Sequence, residues 1–258
     1  MDYLKEAREY LQDRLAAELS FQNNLEDLID RYSYKLVDIA YSSNISPKLF
    51  TFSYNKDISK KVDSVIDEMH SMVESMVETL AVADHKDNKE KILTYINKDI
   101  GGENFYDRLD KHVDTFRKET EGIIAASLLL GTSKSVLKQN MATYRKMPYL
   151  NPIFREAVKL NEGKASVLVN KGLHLGVGVS NSTYNSINTL GRFTIGDAWQ
   201  RNWYEDWDRK GVIGYNVITQ SGACGTCSTN AGFHSDGNLP LYHCSCRCLA
   251  VPVFKKIE

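Results

Sequence analysis

All five cysteines of this chain of 258 residues fall between positions 224 and 248. No other feature narrows the possible folds as much. The segment reads SGACGTCSTNAGFHSDGNLPLYHCSCRCLAVPV. Cys224-Gly-Thr-Cys227 is a C-x-x-C pair, and two thiolates at that spacing on a tight turn can grip one metal ion while the glycine lets the backbone curl around it. Sixteen residues later the chain returns with His243, Cys244, Cys246 and Cys248. A loop of that length lets a hairpin or knuckle bring a second pair of donors to the same ion. Tetrahedral zinc needs four sulfur or nitrogen ligands, so the second half offers more donors than it needs. His243 and Cys246 form an H-x-x-C pair. Cys244, Cys246 and Cys248 alternate, which puts them on one face of an extended strand. The candidate ligands are therefore Cys224, Cys227, His243, Cys246 and Cys248, with Cys244 as the bystander.

Other chemistries fit the cluster less well. An odd number of cysteines cannot pair completely in disulfides within one chain, and in a reducing compartment clustered cysteines more often bind metal. A redox C-x-x-C belongs beside a βαβ pattern, which the sequence lacks. A cysteine nucleophile with His243 or His234 as its base lacks a visible third group to orient the base. A zinc deaminase needs H-x-E ahead of its cysteines, whereas His234-Ser-Asp follows the C-x-x-C. Four protein ligands close the coordination shell and leave no place for the water a catalytic zinc needs. The expected role is thus a staple for a β element too small to build its own core.

Upstream, the chain reads as helix after helix. Leu4, Ala7, Leu11, Leu15 and Leu19 recur at three-and-four spacing, and Leu25, Leu28, Ile29, Tyr32, Leu36 and Ile39 continue the stripe to about residue 43, with a break suggested at Asn23-Asn24. A second helix is expected over 58–83 on the stripe Val62, Val65, Ile66, Met69, Val73, Met76, Val77 and Leu80, read as core. A shorter one follows over 88–99, stopped by Gly101-Gly102. Residues 103–130 should form another, buried on all sides near Ile123–Leu130. Thr132-Ser133 can cap the next helix, and Pro152 can open one reaching Asn161. After residue 163 glycines become frequent. One helix is expected over 180–191 and another over 194–210. The second carries Trp199, Trp203 and Trp207 on one face, as a packed core seam or, alternatively, an aromatic contact surface. Tyr215–Thr219 reads as a strand and Leu249–Phe254 as its return.

Hydrophobic residues make up 42% of the chain, enough to bury a core, and 32 basic against 33 acidic residues give a formal net charge of −1. That balance offers no global attraction for nucleic acid or a membrane. The charged N-terminus has no apolar signal-peptide segment, and the apolar run over residues 123–130 is too short to span a bilayer. Synthesis and retention in a reducing cytoplasm, or packaging from it, is the expectation.

The C-terminal pattern resembles that of the Mu-F-like phage head morphogenesis proteins, or minor head proteins. Their shared domain ends in a strand, a C-x-x-C, a loop, and H-P-x-C-R-C followed by a hydrophobic strand containing proline. Here these are Tyr215–Thr219, Cys224 and Cys227, and His243-Cys-Ser-Cys246-Arg247-Cys248-Leu-Ala-Val-Pro252-Val. Cys244 stands where the family has proline. The resemblance covers residues 165–255. It implies a non-enzymatic structural protein with structural zinc, acting in procapsid assembly at the portal or capsid interior. Its partners would be portal, capsid or scaffold proteins, packaged DNA for some members, and no membrane. Its location would be the virion interior after synthesis in the host cytoplasm. The expected architecture is mainly α: a helical region over 1–162, facing the portal or scaffold, and an α+β domain over 163–258 with a zinc-stapled β element. Two alternatives remain. One is a zinc-stapled nucleic-acid-binding module with a basic face drawn from Arg192, Arg201, Arg209, Lys210, Arg247, Lys255 and Lys256. The other is a toxin-like enzyme using Cys and His.

Overall fold

The periodic apolar stripes become long helices. The computed structural model describes residues 2–83, 85–99, 101–160, 182–235 and 246–255. In chain order its main elements are α1 (Tyr3–Tyr41), α2 (Lys56–Val82), α3 (Lys89–Ile96), α4 (Phe105–Leu129), α5 (Lys134–Tyr144), α6 (Pro152–Leu160) and α7 (Thr183–Asp208). They are followed by β1 (Val212–Ile218), a short α8 (Gly225–Thr229), β2 (Gly232–Ser235) and β3 (Leu249–Phe254). The fold is mainly helical with a small antiparallel sheet near the C-terminus, as expected.

Two helices run through places where the sequence suggests a stop. α1 continues across Asn23-Asn24. An asparagine costs a helix only about 0.7 kcal/mol against alanine. The flanking Phe21, Leu25, Leu28 and Ile29 are buried, and each such side chain contributes about 1.5–3 kcal/mol, so burial outweighs propensity. α7 is one helix instead of two, and Gly191 lies in its interior. A Cβ at Gly191 would lie 2.2 Å from the ring of Phe21. The glycine therefore marks the close approach of a buried aromatic ring to the helix, not a helix end. Elsewhere the local signals hold. Ser133 is the N-cap of α5, its hydroxyl accepting from the Val136 amide at 3.4 Å. Pro152 opens α6. The all-round burial expected over Ile123–Leu130 is corrected at its end: it is continuous only through Ser127, and Leu129, where α4 stops, is 36% exposed.

The chain divides into two compact units that alternate along the sequence, one made of 1–22, 76–105 and 191–258 and the other of 23–75 and 106–190. The boundary expected at 162/163 lies within 161–181, outside the described residues.

The second of these units has a core containing Leu25, Leu36, Met69, Leu109, Ile124 and Phe154, all fully buried. Glu119 of α4 is also buried there. Its carboxylate accepts from the Thr183 amide at 3.0 Å and the Thr183 hydroxyl at 2.6 Å. It thereby serves one of the unsatisfied N–H groups at the start of α7 from a distant helix. Burial nonetheless pushes its carboxyl from an ordinary 4.5 up to about 7.

The first unit holds the sheet, in the order β2-β1-β3. Tyr215 on β1 is fully buried among Ala7, Trp203, Tyr204, Trp207, Leu249 and Ala250. Its one hydroxyl proton is shared between the Tyr204 carbonyl oxygen at 2.8 Å and Asp208 Oδ1 at 2.9 Å. Trp203 ties α7 to β3 by donating from Nε1 to the Ala250 carbonyl at 2.9 Å. The three tryptophans are all buried, so they form a core seam. Gly214, at a bulge in β1, has φ of 155°, and a Cβ there would lie 2.3 Å from the His234 carbonyl oxygen. β2 pairs along Gly214–Val217; its four residues, GFHS, are too short and mixed for the sequence pattern to reveal. Among the described residues no helix is long and apolar enough to cross a membrane.

Candidate metal centre

Sheet topology brings the cysteines together. β1 and β3 are antiparallel, with Ile218 opposite Leu249. The end of β1 and the beginning of β3 therefore lie side by side. The C-x-x-C leaves the first six residues after β1 ends, and Cys246-Arg-Cys248 enters the second directly. Tyr215 pins β1 into the core, so the pairing that fixes the register also fixes where the two cysteine groups meet.

The local backbone completes the convergence. Gly222, with φ of 78°, turns the chain after β1. Cys224 is the N-cap residue of α8 and Cys227 lies within that helix. Cys246 and Cys248 are buried while Arg247 between them is exposed, the alternation expected of an extended segment. Val217, Cys227, Cys246 and Cys248 form a small buried cluster beside the main core, with Ala223 packed against it.

The Sγ atoms of Cys227, Cys246 and Cys248 all lie within 4.8 Å of one another. Those of Cys227 and Cys246 are 3.7 Å apart, far beyond the 2.05 Å of a disulfide. Sulfur ligands on bonds of about 2.3 Å in a tetrahedron stand about 3.8 Å apart. The spacing therefore suits a shared ion. Burial pushes the Cys227 thiol up to about 11, opposed by its contact with Cys248, and pushes the Cys248 thiol further in the same direction, there assisted by its sulfur neighbours. Without a cation these groups stay protonated near neutral pH, and a bound metal reverses that preference by coordinating the thiolates.

The structure thus unites three of the five ligand candidates from the sequence. Cys224 is exposed, with its thiol in hydrogen-bonding contact with that of Cys227. His243, like Cys244, lies outside the described residues. His234 has another role: its Nε2 is 2.9 Å from the Asn230 carbonyl oxygen at the end of α8.

Several side chains named for a basic face have local partners. Arg201 meets Asp197 at 2.6 Å, Arg209 meets Glu205 at 3.5 Å, and Arg192 meets Glu18 at 3.4 Å. Lys210 sits 3.9 Å above the Trp207 ring. A feature that sequence reasoning did not find is Arg14, which donates to the Cys246 carbonyl; a single arginine in a helical repeat carries no signal of such a contact. No family model matches the chain, and no curated protein or solved structure is significantly similar to it.

Proposed function

We propose that residues 224–248 form a structural zinc centre and that the chain acts as a phage minor head protein in procapsid assembly. The observation carrying the first part is the buried triangle of Cys227, Cys246 and Cys248 at sulfur spacings suited to one tetrahedral ion. Soft thiolate donors favour zinc or iron over hard cations, and zinc needs no redox partner. Cys224 or His243 supplies the fourth ligand, closing the shell and making the ion a staple. A thiol raised by burial counts against a free cysteine nucleophile, which requires a lowered thiol pKa. The test is elemental analysis of the purified chain. About one zinc per chain is expected, lost in Cys227→Ser and retained in Cys244→Ser. Iron in place of zinc, or metal retained in Cys227→Ser, refutes the assignment.

The role in head assembly rests on the compound pattern of C-x-x-C, H-x-x-C-R-C and a proline-bearing terminal strand. Cysteines gathered between two paired strands are the arrangement that reading requires. Its test is to look for portal and capsid genes beside its own and to co-express the chain with the proteins they encode. The chain should enter procapsids in a few copies and be missing from particles when Cys227 is replaced by serine. A gene neighbourhood without portal or capsid genes, or procapsids that never take up the chain, refutes it.

A further inference from the structure

We infer that Arg14, far from the cysteines in sequence, is a positioning residue for the metal centre, and that the loaded centre carries net negative charge. This rests on the metal reading above. Arg14 lies on α1 and is only 2% exposed. One terminal nitrogen donates to the backbone carbonyl of Cys246, and the other donates to Gln200 Oε1 at 3.0 Å. Its Nε lies 3.7 Å from Glu18 Oε1, beyond hydrogen-bonding distance, and has no hydrogen-bond partner.

Among the described residues the neighbouring charges do not balance. Glu18 is 1% exposed and is shared with Arg192, whose terminal nitrogen lies 3.4 Å from its other oxygen. Two guanidiniums therefore face one carboxylate. Gly196 makes room for this carboxylate against α7, since a Cβ there would come within 2.9 Å of Glu18 Oε1.

A buried cation is retained when something compensates it. The fork that leaves Glu18 loosely engaged is directed at Cys246 and Gln200. The guanidinium is thereby held to the backbone of one cysteine of the cluster. Thiolates on a divalent ion can supply that compensation. Three thiolates and one imidazole around zinc leave one negative charge, and four thiolates leave two. A centre with only two thiolates would be neutral and would leave Arg14 unmatched. Arg14 thus fixes the orientation of one ligand residue through its carbonyl and offsets the charge of the donor set, the task of groups just outside a coordination shell.

The experiment is chelator-competition measurement of zinc affinity for the full chain and for Arg14→Met, Arg14→Lys and Glu18→Gln, with thermal midpoints of the loaded and metal-free forms. Arg14→Met should weaken zinc about 10–100-fold. Arg14→Lys, which keeps the charge, should lose less. Glu18→Gln should bind zinc as tightly as the parent or more tightly, even where its metal-free form melts earlier, because it leaves more positive charge for the thiolates to meet. If zinc affinity is unchanged in Arg14→Met, or falls in Glu18→Gln in step with lost stability, the inference is overturned. If Arg14→Met fails to fold, the ordering of Arg14→Lys against Glu18→Gln decides the matter. A parent chain that binds no zinc refutes the metal reading itself, an outcome distinct from a zinc-binding parent whose affinity ignores Arg14.

Discussion

Glu119 makes the stability of this protein depend on pH, and the sign follows from its surroundings. Its carboxyl is raised from 4.5 to about 7 because burial penalises the charged form more than the two Thr183 hydrogen bonds favour it. A carboxyl raised in the folded state holds its proton more tightly there than in the unfolded chain. Its contribution is fully present below about pH 4.5 and is lost as pH rises through about 7. A shift of about 2.5 units at 1.36 kcal/mol per unit is worth roughly 3 kcal/mol, an upper value for a site with room to relax. Glu119→Gln removes the titration but keeps an oxygen for the Thr183 donors. Urea unfolding of parent and variant at intervals from pH 5 to pH 8 isolates this group, because every other titration is common to both. The variant should be similar to the parent near pH 5 and gain roughly 2–3 kcal/mol on it by pH 8. A difference independent of pH, or a variant that loses ground as pH rises, would refute the claim that desolvation dominates at this site.

Other consequences follow from single contacts. Gly191→Ala should destabilise by about 2 kcal/mol or more, since its new methyl must displace the buried Phe21 ring; Phe21→Leu in the same chain should recover part of the loss in thermal unfolding. Tyr215→Phe removes the hydroxyl proton shared by the Tyr204 carbonyl and Asp208 while keeping the ring, and should cost about 1–3 kcal/mol by urea denaturation. Zinc removal by chelation should sharply raise amide hydrogen exchange in 224–229 and 246–254, while the buried α4 amides of the other unit stay protected; uniform deprotection of the whole chain would contradict a local staple.

Much of the candidate site was readable in advance because its signals are local. Cysteine is rare and metal spacing is short-range, so Cys224, Cys227, Cys246 and Cys248 stand out without any knowledge of the fold. The second half could not be reduced to definite ligands, since H-x-x-C, C-x-C and C-x-x-C each give plausible geometry when read along a line. Three sulfurs come together only because β1 and β3 pair with Ile218 opposite Leu249.

By itself the sequence determined the mainly helical character, the apolar stripes, the Ser133 cap, the opening of α6 at Pro152, the tryptophan seam and the strands flanking the cysteines. Each follows from a periodicity or a pattern within a few residues of chain. Tertiary structure alone decided the continuity of α1 and α7, the alternation of the two units along the chain, the capping of α7 by Glu119 and the reach of Arg14 to Cys246. These depend on residues up to 232 positions apart. Asparagine or glycine weakens a helix in isolation, but a buried ring or an apolar neighbour packed against it can outweigh that preference, and propensity carries no information about what will be packed there.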